Sequence, residues 1–487
     1  MNLYKILEDL NYELLSENEN IEIKNISYDS RRVTKGTLFI CIKGYKYDGH
    51  DYINSAVNNG ALAVIVERDE LINPILKKKV TFIKVEDTRK ALSKVASKFY
   101  GNPSSELKVI GITGTNGKTS VSYYISEILK LSGKKTGIIG TINNVCGDEI
   151  LDIVRTTHTT PEAPQIQCML RTMVEKGVEF VCIEATSMGL KLNRVDDCNF
   201  DIAVFTNLTR DHLDDHKTME NYKNCKKQLF RLSKFSVINL DDNVGREIIN
   251  ETTNGYITYG LNKYADIYAH DIKTTNQGTK FIMTYKGENK DVQIYIPGRF
   301  SVYNALAATG VCIRLGLKID DIINGLASIT NVKGRFETIK AENGSSIIVD
   351  YAHTPDALEN VLKTAREFKK GKLILVFGCG GNRDKTKRPL MGKIASKLAD
   401  LCIITSDNPR EEDPQNIIKD IIKGMNNVNS ECIIIEDRKK AIRFALTQAN
   451  NNDIVIIAGK GHETYQEING DVIPFDDCEI VKKYLKT

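Results

Sequence analysis

One stretch limits this chain more than any other: Gly111–Thr119, which reads Gly-Ile-Thr-Gly-Thr-Asn-Gly-Lys-Thr. An apolar run, Leu107–Ile112, leads into it, and a helix-like segment, Ser120–Leu131, leads out. Strand, glycine loop and helix in that order put backbone N–H groups at the positive end of a helix, where they can surround a phosphate. Gly114, Thr115, Asn116 and Gly117 form the cradle. Lys118 adds a point charge for the outer phosphates, and the Thr119 hydroxyl suits Mg²⁺. The reading is an α/β chain that binds a nucleoside triphosphate. The usual P-loop spacing asks for glycine at position 112, but Ile112 stands there and the glycine lies one place earlier, at Gly111.

At 487 residues the chain is too long for one core, and about three domains are expected. In the first hundred residues the strand candidates are Ile23–Tyr28, Thr37–Ile42, Ala63–Val66 and Phe82–Val85. A helix over Thr88–Tyr100 follows, and Gly101-Asn-Pro-Ser-Ser is a linker signal. The predicted first domain is therefore 1–104. In the next, 105–333, Val109–Thr113, Thr136–Ile139, Phe180–Glu184 and Ile202–Thr206 read as buried strands, separated by helices such as Pro164–Lys176. That alternation predicts a mostly parallel sheet covered on both faces. A Rossmann-like α/β domain, 334–487, is predicted from Ile347–Asp350, Leu373–Phe377, Leu401–Thr405, Cys432–Ile435 and Ile454–Ala458, with helices such as Pro355–Phe368 between them. Polar clusters end these strands: DYAHTPD, GCGGNRDKTKR, DNPREEDP and GKGHE. Polar loops after successive parallel strands build a site along one sheet edge.

The bulk numbers exclude several classes. Basic residues number 67 and acidic 63, so nothing points to a nucleic-acid partner. The eleven cysteines contain no C-x-x-C pair, which argues against a zinc site or disulfide framework and fits reduced thiols. The N-terminus, MNLYKILEDLNYELL, reads as an amphipathic helix with internal acids rather than a signal peptide. No run of eighteen apolar residues predicts a membrane span. A cytoplasmic monomer acting on small molecules is expected.

A second constellation follows the strand ending at Thr206: Asn207-Leu-Thr-Arg-Asp-His-Leu-Asp-Asp-His216. Its His212, with Glu184, is a candidate for a divalent metal, although Mg²⁺ prefers oxygen and an orienting histidine is the alternative. Further on comes Lys226, with Tyr222 one helical turn before it.

The chain resembles the Mur ligases along nearly its whole length. The carriers are Asp29-Ser-Arg31, Gly36, Leu38-Phe39, Gly44, Asp48-Gly-His50, GTNGKT, Thr159-Thr-Pro161, Glu184 and NLTRDHLDDH. They continue with Gly298-Arg-Phe-Ser-Val-Tyr-Asn304, Gly334-Arg-Phe-Glu337, DYAHTPDAL, GCGGNRDKTKR, Asp407-Asn-Pro-Arg410 and Gly459-Lys-Gly-His-Glu463. Individually weak, these motifs are specific in this order. The resemblance implies an ADP-forming ligase of cytoplasmic cell-wall precursor synthesis. It would join meso-diaminopimelate to UDP-N-acetylmuramoyl-L-Ala-D-Glu through an acyl phosphate.

It also implies roles. Residues 1–104 would hold the uridine nucleotide, through Ser30, Asp48 and His50. Thr159, Thr160, Ser187 and Arg194 would contact the muramoyl-peptide. Asn304 would meet adenine, Asp350 ribose, and Arg335 the phosphates. Lys118, Glu184, His212 and Lys226 would be catalytic. Mg²⁺ would sit on Thr119, Glu184 and His212, and on Lys226 carrying a carbamate derived from CO₂. Arg383, Asp407, Asn408, Arg410, Gly459 and Glu463 would take the amino acid. Arg410 offers a planar fork for the distal carboxylate of diaminopimelate; Glu463 would take the distal ammonium. One departure stands out: the family usually has Ser-Ser-His where this chain has Thr186-Ser187-Met188. Met188 either packs or marks a paralogue that joins lysine or another amino acid to this or another carboxylate.

Overall fold

The computed structural model describes residues 1–487 except 17–20, 45–46, 71, 153–156, 158, 426–429 and 486–487. Tertiary contacts group it into two units. One comprises 1–111, 134–202 and 231–234; the other comprises 112–133, 203–230 and 235–487. The class is α/β.

The first unit opens on a five-stranded sheet in the order Glu13–Ser16, Thr81–Lys84, Ala61–Val66, Thr37–Ile40, Asn25–Ser27. Glu13–Ser16 is antiparallel to its neighbour and the remaining pairs are parallel. Both faces are covered. Leu38, Ile40, Ala63 and Ile65 pack with Ala91, Leu92, Val95 and Ala96 of the helix Thr88–Phe99. Phe39, Val64 and Phe82 pack on the opposite side with Ile53 and Ala56. The N-terminal helix is shorter than expected. Capped by the Asn2 side chain, it runs only over Leu3–Leu7, burying Leu3, Ile6 and Leu7. It closes with Leu10 N–H donating to Leu7 O, the Asp9 carboxylate turns to Lys98, and Glu13–Ser16 then pairs as an edge strand. The same unit pairs Thr136–Ile139 in parallel with Phe180–Glu184. The helix Ala163–Glu175, begun by Pro164, packs on Thr88–Phe99.

In the second unit the glycine loop feeds the helix Lys118–Leu131. Phe200–Phe205, Phe235–Asn239, Gly255–Gly260 and Ile267–Thr275 pair successively in parallel. An antiparallel meander, Gly278–Tyr285 and Glu288–Ile294, completes that run. The strands from 235 to 294 have no counterpart in the sequence expectation. A six-stranded sheet follows, in the order Glu337–Lys340, Ser346–Asp350, Ile454–Ala458, Leu373–Phe377, Leu401–Ile404, Glu431–Ile434. Only Glu337–Lys340 runs antiparallel to its neighbour. The last strand in sequence, Ile454–Ala458, is inserted at the middle. Asp350 is opposite Ala458, and Phe377 opposite Ile404, so the four polar loops emerge along one edge.

Candidate active site

The loop before Lys118–Leu131 is shaped by its glycines. Gly114 and Gly117 have φ of +148° and +90°, which side chains rarely adopt. A Cβ at Gly117 would lie 2.6 Å from Asn304 Oδ1, and one at Gly114 would strike Thr206. The loop is tied down from the next strand end: Asn116 N–H donates to Asn207 Oδ1 (2.9 Å), and Thr206 Oγ1 donates to Asn116 O (2.7 Å). The Lys118 ammonium donates to Gly114 O and Thr115 O at 2.8 and 2.9 Å.

Lys226 reaches the same place. It is 1% exposed, and its Nζ donates to Gly114 O at 2.8 Å and lies 4.6 Å from the centre of the Tyr222 ring. Tyr222 Oη is hydrogen-bonded to Thr115 Oγ1 (3.1 Å). Burial, reinforced by the nearby Lys118 charge, holds the Lys226 amine well below its ordinary range, against the pull of Asp211. His212, at φ +54°, sits with Nε2 3.3 Å from Asp211 Oδ2. Burial lowers its pKa, against the pull of Asp211. His212, Asp214 and Asp215 each place a ligand atom within 4.8 Å of the others.

Arg335 Nη2 donates to Thr119 Oγ1 (3.2 Å), and its guanidinium lies 4.4 Å from the centre of the Tyr351 ring. Asp350 accepts the Phe336 N–H (2.7 Å), and burial raises it to about 6 against the pull of Arg335. At the neighbouring strand ends Asp407, Asn408 and Glu463 gather around the fully buried Lys460. Its Nζ lies 2.9 Å from Asn408 Oδ1, 3.2 Å from Glu463 Oε2 and 3.9 Å from Asp407 Oδ1. Burial and the Asp407 charge raise Glu463. Burial works against Asp407 too, but Lys460, Arg438 and His353 hold it below the usual carboxylate range. Gly459, at φ +118°, leaves no room for a Cβ beside Asp407 Oδ2. Arg410 donates to Gly381 O (2.9 Å) and pairs with Glu467 (3.1 Å). Arg383 stands apart from that group, 3.8 Å from Asp214 Oδ2.

The first unit carries the other predicted residues. Glu184, fully buried at its strand end, accepts both the N–H (3.1 Å) and the hydroxyl (2.7 Å) of Thr141. Thr141 in turn contacts Thr159 Oγ1 (3.1 Å). Thr160 donates to Glu184 O and meets the hydroxyl of Thr186, both at 2.8 Å. Arg194 donates to Thr160 O (3.0 Å) and pairs with Glu162 (2.9 Å). Ser187 and Met188 open the short helix Ser187–Lys191, capped by Thr186. Further along the unit, Asp29 caps a turn beginning at Ser30. His50 Nδ1 meets Asp48 Oδ1 at 2.6 Å, and its Nε2 accepts the Glu67 N–H at 3.0 Å. Both ring nitrogens are thus engaged within the protein.

Comparison with known proteins settles the family. The chain is 47% identical to the UDP-N-acetylmuramoyl-L-alanyl-D-glutamate–2,6-diaminopimelate ligase of Caldanaerobacter subterraneus subsp. tengcongensis, over 100% of this chain and 99% of the relative. The chain belongs to the Mur ligase family. Three family models agree: the Mur ligase family catalytic domain matches residues 22–100, the Mur ligase middle domain 112–312, and the Mur ligase glutamate ligase domain 334–461. The same-named ligase of Clostridioides difficile is also 47% identical, again over 100% and 99% of the two chains. A solved UDP-N-acetylmuramoyl-L-alanyl-D-glutamate–2,6-diaminopimelate ligase superposes with a TM-score of 0.67 at 35% identity, covering 95% of each chain. This Mur ligase is an ATP-dependent, amide-forming enzyme of peptidoglycan precursor synthesis. Sequence reasoning missed Thr141 and Lys460. Lys460 lies inside the Gly459–Glu463 motif and was legible there; Thr141 gives no local signal.

Proposed function

We propose that this Mur ligase joins meso-diaminopimelate to the terminal carboxylate of UDP-N-acetylmuramoyl-L-Ala-D-Glu, as a cytoplasmic monomer. The observation that carries the reading is the strand-edge loop Asp407–Arg410: it carries the Arg410 guanidinium and the Asp407 carboxylate, and its Asn408 donates to Glu463 at 3.0 Å. A guanidinium suits a distal carboxylate, and Asp407 and Glu463, two carboxylates sharing the one Lys460 ammonium, leave negative charge for a second; together they suit a diamino diacid. Lysine lacks the distal carboxylate. The names of the relatives support the same choice.

Three segments divide the work: 1–104 for the uridine nucleotide, 105–333 for ATP, and 334–487 for the amino acid. ATP binds with its phosphates on Gly114–Thr119, its ribose at Asp350 and its adenine beside Asn304. Lys118 and Arg335 spread the phosphate charge. Ser30 and Asp48 take the uridine nucleotide, with His50 bracing that loop through Asp48. Thr159, Thr160, Ser187 and Arg194 hold the peptide. The Thr119 hydroxyl and the Glu184 carboxylate are each a hard oxygen of the kind Mg²⁺ prefers, and each would serve as a ligand. The buried Lys226, held toward its neutral form, is suited to take up CO₂, and its carbamate with His212 would hold a second ion. When bound, Mg²⁺ supplies neutralisation of phosphate charge.

The substrate carboxylate attacks the γ-phosphorus of ATP, ADP leaves, and an acyl phosphate forms. The amine of the amino acid adds to that carbonyl, and the tetrahedral adduct expels phosphate. Phosphoryl transfer asks the protein for positioning and charge rather than covalent chemistry. Asp407, Asn408, Arg410, Gly459 and Glu463 hold the amino acid, with Arg383 outside their group beside Asp214. The test is phosphate release from ATP with the nucleotide dipeptide, comparing diaminopimelate, lysine and ornithine. Turnover confined to diaminopimelate is expected; equal use of lysine overturns the assignment.

A further inference from the structure

Beyond the Gly459–Glu463 motif the chain forms a small hairpin, Tyr465–Ile468 with Asp471–Pro474, that pairs with neither large sheet. It is stitched instead to the loop Asp407–Arg410. Gln466 Nε2 donates to Asp407 O (2.6 Å), and Glu467 N–H donates to Asn408 Oδ1 (3.1 Å). Arg410 N–H donates to Glu467 O (3.0 Å), and Asn469 N–H donates to Arg410 O (2.7 Å). Arg410 needs this support, because its φ of +53° lies in the left-handed region that residues with a Cβ rarely adopt.

The guanidinium is fixed as firmly as the backbone. Its Nε faces Glu467 Oε2 at 3.1 Å, and its Nη1 donates to Gly381 O at 2.9 Å. A Cβ at Gly380 would come within 3.0 Å of Nη1, so the glycine lets the group lie against the backbone. Nη2 has no protein partner among the described residues. A carboxylate can therefore meet the Nη1–Nη2 end of the fork without breaking the Glu467 pair.

We propose that Glu467 is a positioning residue for amino-acid selection: through its pair with Nε it holds the Arg410 fork in the orientation that receives a distal carboxylate. This rests on the reading of Arg410 as the selector. A preorganised fork loses less side-chain freedom on binding. Its loss therefore falls on amino-acid affinity, and not on ATP or on the chemical step.

The experiment measures kcat and KM for meso-diaminopimelate, lysine and ATP in the full-length parent, Glu467→Ala and Glu467→Gln. Glutamine keeps the side chain's length and an oxygen beside Nε and removes the charge. The expected result is a KM for diaminopimelate raised about tenfold in Glu467→Ala. Its kcat and the KM for ATP should stay within about twofold of the parent, and Glu467→Gln should recover most of the loss. An unchanged KM in Glu467→Ala overturns the role of Glu467 while leaving Arg410 as selector. Equal damage in both variants with a raised KM for ATP overturns it as well, in favour of a merely structural hairpin. A parent that does not use diaminopimelate overturns the underlying reading, and this inference with it.

Discussion

Lys226 has no business inside a protein as an ammonium. Among the described residues a carbonyl and an aromatic face meet its Nζ, and Lys118 repels it against the pull of Asp211. A neutral amine relieves that conflict, and a carbamate turns it into a ligand. Lys226→Ala is expected to lower turnover at least a hundredfold, with partial rescue by short carboxylic acids, and the parent should carry the added mass of CO₂. An alanine variant of normal activity sinks the idea. Asp350 gives a pH effect. Its folded value of about 6 lies above the ordinary 3.8, so the folded chain holds the proton more tightly. Its contribution favours folding at acid pH and is lost as pH rises from about 4 through 6, costing about 3 kcal/mol at neutrality. Asp350→Asn, which still accepts from Phe336, should raise the melting temperature at pH 7.5 and not at pH 4, while weakening ATP binding. A gain equal at both pH values refutes this. For Arg410→Ala, losing one partner of a charge pair costs about 2–5 kcal/mol. Efficiency with diaminopimelate should fall a hundredfold or more, and the KM for ATP should hold. The sequence singles out residues where a motif fixes their spacing, as at Lys118 and Arg410, and the structure puts Lys118 on the glycine loop and Arg410 on a strand-edge loop. Their partners are not singled out: two helices and two strands separate Glu467 from Arg410 in the chain, and nothing local in the sequence records that approach.

At the scale of elements, legibility followed burial. Leu373–Phe377 and Ile454–Ala458 are apolar throughout because both faces are covered, and their bounds were read as they stand. Ile267–Thr275 and Glu288–Ile294 carry charged and polar residues on an exposed face, and the eye takes such alternation for loop. The N-terminal helix failed for the opposite reason. Leu14 and Leu15 extend a helical apolar pattern, but the backbone there pairs as an edge strand. The glycine loop is the element most open to test. Alanine at Gly117 would sit at φ +90° and press on Asn304. The conformational cost alone is about 1–2 kcal/mol. Gly117→Ala should therefore raise the KM for ATP at least tenfold, with the KM for the amino acid unchanged. Normal ATP use would show that the loop tolerates rearrangement.

For the whole molecule, contact grouping and sequence order disagree. The first unit collects 1–111, 134–202 and 231–234, and the second takes the rest. The helix Ala163–Glu175 packs on Thr88–Phe99, and Ala163 joins the core built by the first hundred residues. Deleting 1–104 is therefore expected to strip that helix of its partner. The truncated protein should lose its cooperative melt and precipitate; a soluble truncation with a sharp transition contradicts this. The interleaving also has a consequence for biosynthesis. A ribosome delivers the five strands of the first sheet and the helix Thr88–Phe99 before residue 100, but the helix that packs on Thr88–Phe99 comes only after residue 162. Through that interval the outer side of Thr88–Phe99 waits for its partner, so the nascent chain leaves the ribosome with one packing surface unfilled long before the enzyme has anything to ligate.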